Sequence, residues 1–367
     1  MEIDRRRFLG ALGAGITLGS QSALGEAVDR PVYLTAARDG KIYRAVLLDD
    51  DGKVRWSLEL PGRGHGGAFR PSSRECVIFA RRPGQFAMVL DRNTGALSRT
   101  LVPPEGRRFY GHGCYSSDGR RLYTTENDYA EHRGVVGVWD ASDGYRRVGE
   151  FDSHGIGPHE MILMPDGQTL AVANGGIATH PDTGRRKLNI PEMEPSLVFL
   201  NGRDGSLEVQ LTAPRELHKL SLRHLSANRQ GTLFAAAQFE GAPDETPPLL
   251  ASVQSGKLKF HEAPLGVQMA MRNYCGSVSF DATGRVLAVS CPRGNLVTYW
   301  NAEGEFVASN ALNDGCGLAP YNTAGEFIAT SGAGAITRST PTTAKTLDRA
   351  AFDGVKWDNH VVARLSD

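Results

Sequence analysis

The chain has 367 residues, with 41 Lys+Arg balancing 41 Asp+Glu, so the formal net charge is zero and the isoelectric point is near 7.2. That balance excludes the basic excess that nucleic-acid binding demands and the polybasic patches of proteins held at an anionic membrane surface. Gly (43) and Pro (19) are abundant and mean hydropathy is −0.31, a soluble, turn-rich composition that favours many short strands over long helices.

The first thirty residues read as an address. Asp4-Arg5-Arg6-Arg7-Phe8-Leu9-Gly10 precedes a soft apolar run from Phe8 to Gly19, followed by small residues at Ala23, Gly25 and Ala27. This is the layout of a secretory signal peptide, and Arg5-Arg6-x-Phe8-Leu9 makes it resemble a twin-arginine signal. Interruptions at Gly13, Gly15, Gly19 and Ser20 leave the run too short for a membrane span, which needs about twenty apolar residues. The expectation is a signal peptide over 1–27, cleaved after Gly25 or Ala27, and a periplasmic mature chain over 28–367 without stable membrane insertion.

The mature chain repeats. A turn feeding an apolar strand recurs at Ser117–Thr124, Pro165–Val172, Arg229–Ala236, Ala282–Val289 and Thr323–Thr330. A second signature, a strand end closed by another Gly turn, appears at Val89-Leu90-Asp91, Val138-Trp139-Asp140, Phe199-Leu200-Asn201 and Tyr299-Trp300-Asn301. Four antiparallel strands per unit of about forty to fifty residues make a β-propeller blade. The residues that open successive units are His65, His112, His159, His224, Cys275, Cys316 and His360, separated by 47, 47, 65, 51, 41 and 44 residues. The prediction is therefore an all-β, seven-bladed β-propeller of four-stranded antiparallel blades. Residues 31–60 hold only three strands, so His360–Leu365 supplies the fourth, and pairing of the N- and C-terminal strands closes the ring.

In a propeller, the segments entering the first strands and the loops joining second to third strands lie on one face. That face collects His65, His112, His159, His224 and His360, with His132 and His180 on second-to-third-strand loops. Neutral imidazole ligates iron, copper and zinc, so these five blade-opening histidines are candidate metal ligands. A structural reading stands beside this one: WD-type propellers place a Gly-His pair here for hydrogen bonding, and Gly111-His112…Trp139-Asp140 fits that pattern. The long interval carries an insertion over 173–196 on the same face, where His180, Arg185 and Lys187, with Arg81 and Arg82 of an earlier blade, are candidates for holding a carboxylate or phosphate-like group. Glu126, Asn127, Asp128 and Glu131 occupy a corresponding loop and would offer oxygen ligands suited to iron.

Cys76, Cys114, Cys275, Cys291 and Cys316 form no C-x-x-C pair and no haem-attachment motif, and read as small buried hydrophobes. G-x-S-x-G, H-E-x-x-H, P-loop and EF-hand sequences are absent, so no catalytic residue is nominated.

The chain resembles the domain-of-unknown-function 1513 family of twin-arginine-exported propellers. The resemblance rests on Gly64-His65-Gly66-Gly67, Tyr110-Gly111-His112-Gly113, Gly157-Pro158-His159-Glu160, Asn174-Gly175-Gly176-Ile177-x-Thr179-His180-Pro181, Glu194-Pro195-Ser196-Leu197 and Leu217-His218-Lys219-Leu220-Ser221-x-Arg223-His224, and covers nearly the whole mature chain. It implies neighbours of imelysin-like and dihaem oxidoreductase-like type, and hence a part in periplasmic iron acquisition. The expected function is a binding or scaffold propeller whose His-rich mouth meets a metal, chelate or protein partner. The alternative is a metal-dependent propeller oxidoreductase or lactonase-type hydrolase.

Overall fold

The structure, a computed structural model, describes residues 30–82, 84–184, 186–347 and 354–365. The signal peptide expected over 1–27 lies outside the described residues, and so does Arg185.

The described residues form seven four-stranded antiparallel sheets arranged as a seven-bladed β-propeller. The innermost strands are Gly64–Phe69, Arg107–Tyr115, Pro158–Leu163, Leu220–Ala227, Ser277–Phe280, Gly315–Pro320 and Lys356–Arg364. Each expected blade-opening residue falls in one of these strands or, for Cys275, just before it. The first blade is composite, because Val32–Asp39 lies between Ile42–Leu48 and the C-terminal Lys356–Arg364. The termini are joined by a ladder running from Val32 opposite Arg364 to Arg38 opposite Lys356, and Thr35 Oγ1 donates to the His360 carbonyl at 2.7 Å. No helix among the described residues is long and apolar enough to cross a membrane.

The apolar repeats form second strands because a blade's middle strands are covered on both faces by neighbouring blades. Leu233–Phe239 is buried along its whole length, and Cys76–Ala80 likewise. Ile78 and Leu90 pack toward Leu34 and Leu47 of the first blade, whereas Val77 and Phe79 of the same strand face Phe109 and Trp139 of the third. Burying each such side chain contributes about 1.5–3 kcal/mol, repeated at every blade interface.

The second signature owes its Asp or Asn to turn chemistry. Asp91 Oδ1 accepts from the amides of Asn93 and Thr94, each at 2.9 Å, and Asn301 Oδ1 accepts from Glu303 and Glu305 at 3.1 and 2.8 Å. At the last of these turns Gly304 has φ +84°, and a Cβ there would overlap the imidazole of His261, which is buried and meets Ser252 Oγ at 2.8 Å. Gly304→Ala should therefore cost about 2–3 kcal/mol, from left-handed strain plus a displaced His261. Urea unfolding reads this directly, and a change within about 0.5 kcal/mol, typical of a neutral surface substitution, would contradict it.

Candidate metal centre

Five inner strands bring their histidines into one ring of neighbouring imidazoles. Around the ring His65–His112–His159–His224–His360, successive imidazole centroids lie 4.8, 5.1, 4.8, 4.7 and, back to His65, 4.4 Å apart. His65, His112 and His360 have ligand atoms all within 4.8 Å of one another, and His112, His159 and His224 make a second such set. None of the five is more than 7% exposed.

The backbone explains how strands from five blades gather imidazoles in one cluster. In each of these strands the ladder register shifts at the histidine: between Gly64 and Gly67, Phe109 and Gly113, Pro158 and Glu160, Leu222 and His224, and opposite Thr35 and Ala37 for the strand carrying His360. A bulge breaks the strict alternation of side chains and re-aims the residues around it: His159 is itself the extra residue in its strand, and Arg223 is the extra residue beside His224. Close approach completes the cluster. Gly111, at φ +108°, passes the His65 ring so closely that a Cβ would lie 2.8 Å from its Cδ2.

Two carboxylates stand behind the ring. Glu160 Oε2 lies 3.1 Å from His224 Nδ1 and also accepts from the Leu225 amide at 3.1 Å, while Oε1 lies 3.5 Å from His112 Nδ1. Asp358 Oδ1 lies 2.7 Å from His65 Nδ1, and its other oxygen accepts from Arg63 Nε. Burial pushes the Glu160 carboxyl upward, but the charges and hydrogen bonds of His112 and His224 outweigh it and hold the group well below the usual carboxylate range. Burial, reinforced by the neighbouring Arg81 or Arg223 and by the other rings, holds His65 and His159 well below the usual imidazole range. Burial, followed by the charges of His112 and His224, does the same to His360. Neutral imidazoles are the ligating form.

The ring nitrogens divide into two kinds. His65 is fully engaged, with Nδ1 on Asp358 and Nε2 accepting from Arg81 Nη1 at 2.8 Å. His112 Nε2, His159 Nδ1 and His360 Nε2 are buried without a hydrogen-bond partner. A cavity of about 190 Å³ lies against His112, Glu160 and His360 on the channel side, walled by small residues including Gly66, Gly67, Gly113 and Ser277. A second, of about 120 Å³, lies against His159.

The WD-type alternative does not describe His112. Trp139 Nε1 donates to Thr124 Oγ1 at 3.0 Å and Asp140 caps its own turn at Ser142 and Asp143, while the His112 ring sits in the channel. Of the anion candidates, Arg81, Arg82 and Lys187 line the second cavity. His180 is not among its lining residues: its Nδ1 accepts from the Asp182 amide at 3.3 Å and its ring stands against Tyr129. His132 occupies an exposed turn. The loop acids expected beside the imidazoles are engaged elsewhere, Glu126 with Arg147 at 2.7 Å and Asp128 with Arg107 at 2.9 Å. Cys275 and Cys316 open the two blades without a channel histidine. All five cysteines are free thiols, and burial pushes Cys316 up to about 12, so it stays protonated.

Sequence reasoning missed Glu160 and Asp358. Asp358 carried a usable signal, since residues two apart in a strand share a face and His360 follows at that spacing. Glu160 carried none, because it reaches its partners only through the bulge at His159.

The family model described as "Protein of unknown function (DUF1513)" matches residues 58–364. The chain belongs to that family. The matched span contains all five channel histidines and both carboxylates, so in this DUF1513 propeller the cluster lies inside the family region. Among solved structures, Kuenenia stuttgartiensis hydrazine synthase matches with a TM-score of 0.60 at 14% identity, covering 92% of this chain and 100% of that one. At that identity the likeness is one of fold. No curated protein shows significant sequence similarity to this chain.

Proposed function

We propose that this chain is a periplasmic propeller that holds a transition-metal ion, iron, copper or zinc, in its channel histidine cluster and serves iron acquisition as a binding protein. The carrying observation is the set of partnerless buried nitrogens on His112, His159 and His360. A buried polar atom without a partner costs about 1–3 kcal/mol, and His112, common to both three-histidine sets, joins His360 in one and His159 in the other, so each set holds two such nitrogens before an ion enters. Glu160 and Asp358 have the arrangement of outer-shell carboxylates that orient ligating imidazoles and balance the charge of a cation. The iron role and the expected imelysin-like or dihaem partners follow from the family resemblance.

A second reading, a metal-dependent oxidoreductase or lactonase-type hydrolase, is favoured by one feature. His159 forms part of the wall of the outer cavity, so an exogenous ligand has a route to the ring.

Elemental analysis of natively exported protein tests the proposal. Near-stoichiometric metal is expected, and it should be lost in a folded His112→Ala, His159→Ala double variant. Metal-free protein in both cases would overturn the proposal, and turnover by the loaded protein would move the reading to the enzyme.

A further inference from the structure

The five imidazoles offer two ways of seating an ion. His112 belongs to both three-histidine sets; His65 and His360 complete the first, His159 and His224 the second. An imidazole nitrogen has one lone pair, so an ion held by the partnerless His112 Nε2 in one set leaves nothing for the other. Each set adds one further partnerless nitrogen, His360 Nε2 or His159 Nδ1, and the choice falls on the third member, His65 or His224.

His65 has no nitrogen to spare. Its Nδ1 meets Asp358 Oδ1 at 2.7 Å, and Arg81 Nη1 lies 2.8 Å from its Nε2 and 3.2 Å from its Nδ1. A ligand nitrogen must present a bare lone pair, and these contacts withhold it whatever else Arg81 touches. Asp358 is committed as well, since its second oxygen accepts from Arg63 Nε. The His65 corner is thus closed by hydrogen bonds and ion pairs of its own.

His224 is in the opposite condition. Its Nδ1 faces Glu160 Oε2 at 3.1 Å, which leaves Nε2 as the nitrogen it can offer. Glu160 spans two members of the second set, His224 and His112, and its other partner is the Leu225 amide; no Lys or Arg stands among them. Arg63 meets the charge of Asp358, whereas a cation on the far nitrogens of His112 and His224 would balance that of Glu160. Arg223, the extra residue beside His224, is directed elsewhere: its Nε donates to Ser221 Oγ at 2.9 Å and its Nη2 lies 3.6 Å from Glu240.

We propose that one divalent ion is held by His112 Nε2, His159 Nδ1 and His224 Nε2, with Glu160 behind two of these rings, and that His65 and His360 are not its ligands. The assignment rests on the channel-metal reading and narrows it. Three imidazoles make a nitrogen-only set, which suits zinc or copper(II) and lacks the carboxylate of the two-histidine iron triad. Three protein ligands also leave a tetrahedral ion one position for an exogenous molecule.

Titration of natively exported, metal-stripped protein with zinc or copper(II), in competition with a chromophoric chelator, tests the assignment on single variants. His65→Gln and His360→Gln should bind nearly as tightly as the wild type. His159→Gln and His224→Gln should each lose more than the roughly 10–100-fold typical of a missing outer-shell partner. Should an imidazole variant fail to fold, the carboxylates repeat the comparison: Glu160→Gln should weaken binding by about 10–100-fold and Asp358→Asn should not. A loss in His65→Gln or His360→Gln that equals or exceeds the loss in His224→Gln, or a loss in Asp358→Asn that matches Glu160→Gln, would overturn the assignment and leave the channel-metal reading intact. A wild type that takes up neither zinc nor copper(II) would overturn both.

Discussion

Glu160→Gln is expected to lower the metal affinity of the channel ring by about 10–100-fold without unfolding the propeller. The wild-type carboxylate accepts on both oxygens, holding the Nδ1–H tautomer of His112 and His224 and thereby leaving Nε2 of each ring bare. Glutamine has the same shape and keeps one carbonyl acceptor for His224 and the Leu225 amide, but its other terminus is an NH2 donor. Facing that donor, His112 Nδ1 becomes an acceptor and the proton moves to Nε2, the nitrogen now partnerless in the channel. A protonated Nε2 cannot ligate. Competition against a chromophoric chelator, with unfolding midpoints as the control for fold, measures the effect. Unchanged affinity in a folded variant would remove Glu160 from the ligand-orienting role.

Trp357→Ala should cost about 3–5 kcal/mol, near the upper end for a core substitution. Trp357 is 3% exposed, and its Nε1 donates to the Gly334 carbonyl at 3.2 Å. It shares one cluster with Tyr33, Val46 and Leu48 of the first blade and with Ala319, Ile328 and Ile336 of the seventh. Truncation leaves a cavity, orphans a carbonyl and loosens the strand that closes the ring. The damage should therefore exceed a simple packing loss. Release of Lys356–Arg364 bares the edge of Val32–Asp39, a template for pairing with another chain. Urea unfolding should show the stability loss, and size-exclusion chromatography at sub-denaturing urea should show association that wild type lacks. A loss below about 1 kcal/mol, as for an ordinary substitution, would mean that the closure does not depend on this side chain.

The fold was legible because each blade repeats the same local rules. The Asp or Asn turn before Gly and the doubly apolar second strand are set by residues within one hairpin, and four or five copies of each make the period readable. The terminal closure was legible by subtraction, since three strands at 31–60 require a fourth. The centre was legible only in part. The five histidines stood at equivalent places in their blades, so period alone put them on one face, but period could not say whether they point into the channel or bond within the blade.

By itself, then, the sequence determined seven blades, the strand that closes them and the face on which the histidines gather, because those properties follow from short-range pattern repeated along the chain. Tertiary structure alone decided the rest. Bulges at or beside the histidines gather five rings into one cluster and carry Glu160 to His112 and His224. Ion pairing withdraws Glu126 and Asp128 from the channel. Convergence of four blades assembles Arg81, Arg82, Arg108, Lys187 and Arg223 around one cavity. Each depends on contacts between residues on different strands or different blades, which strand periodicity does not encode.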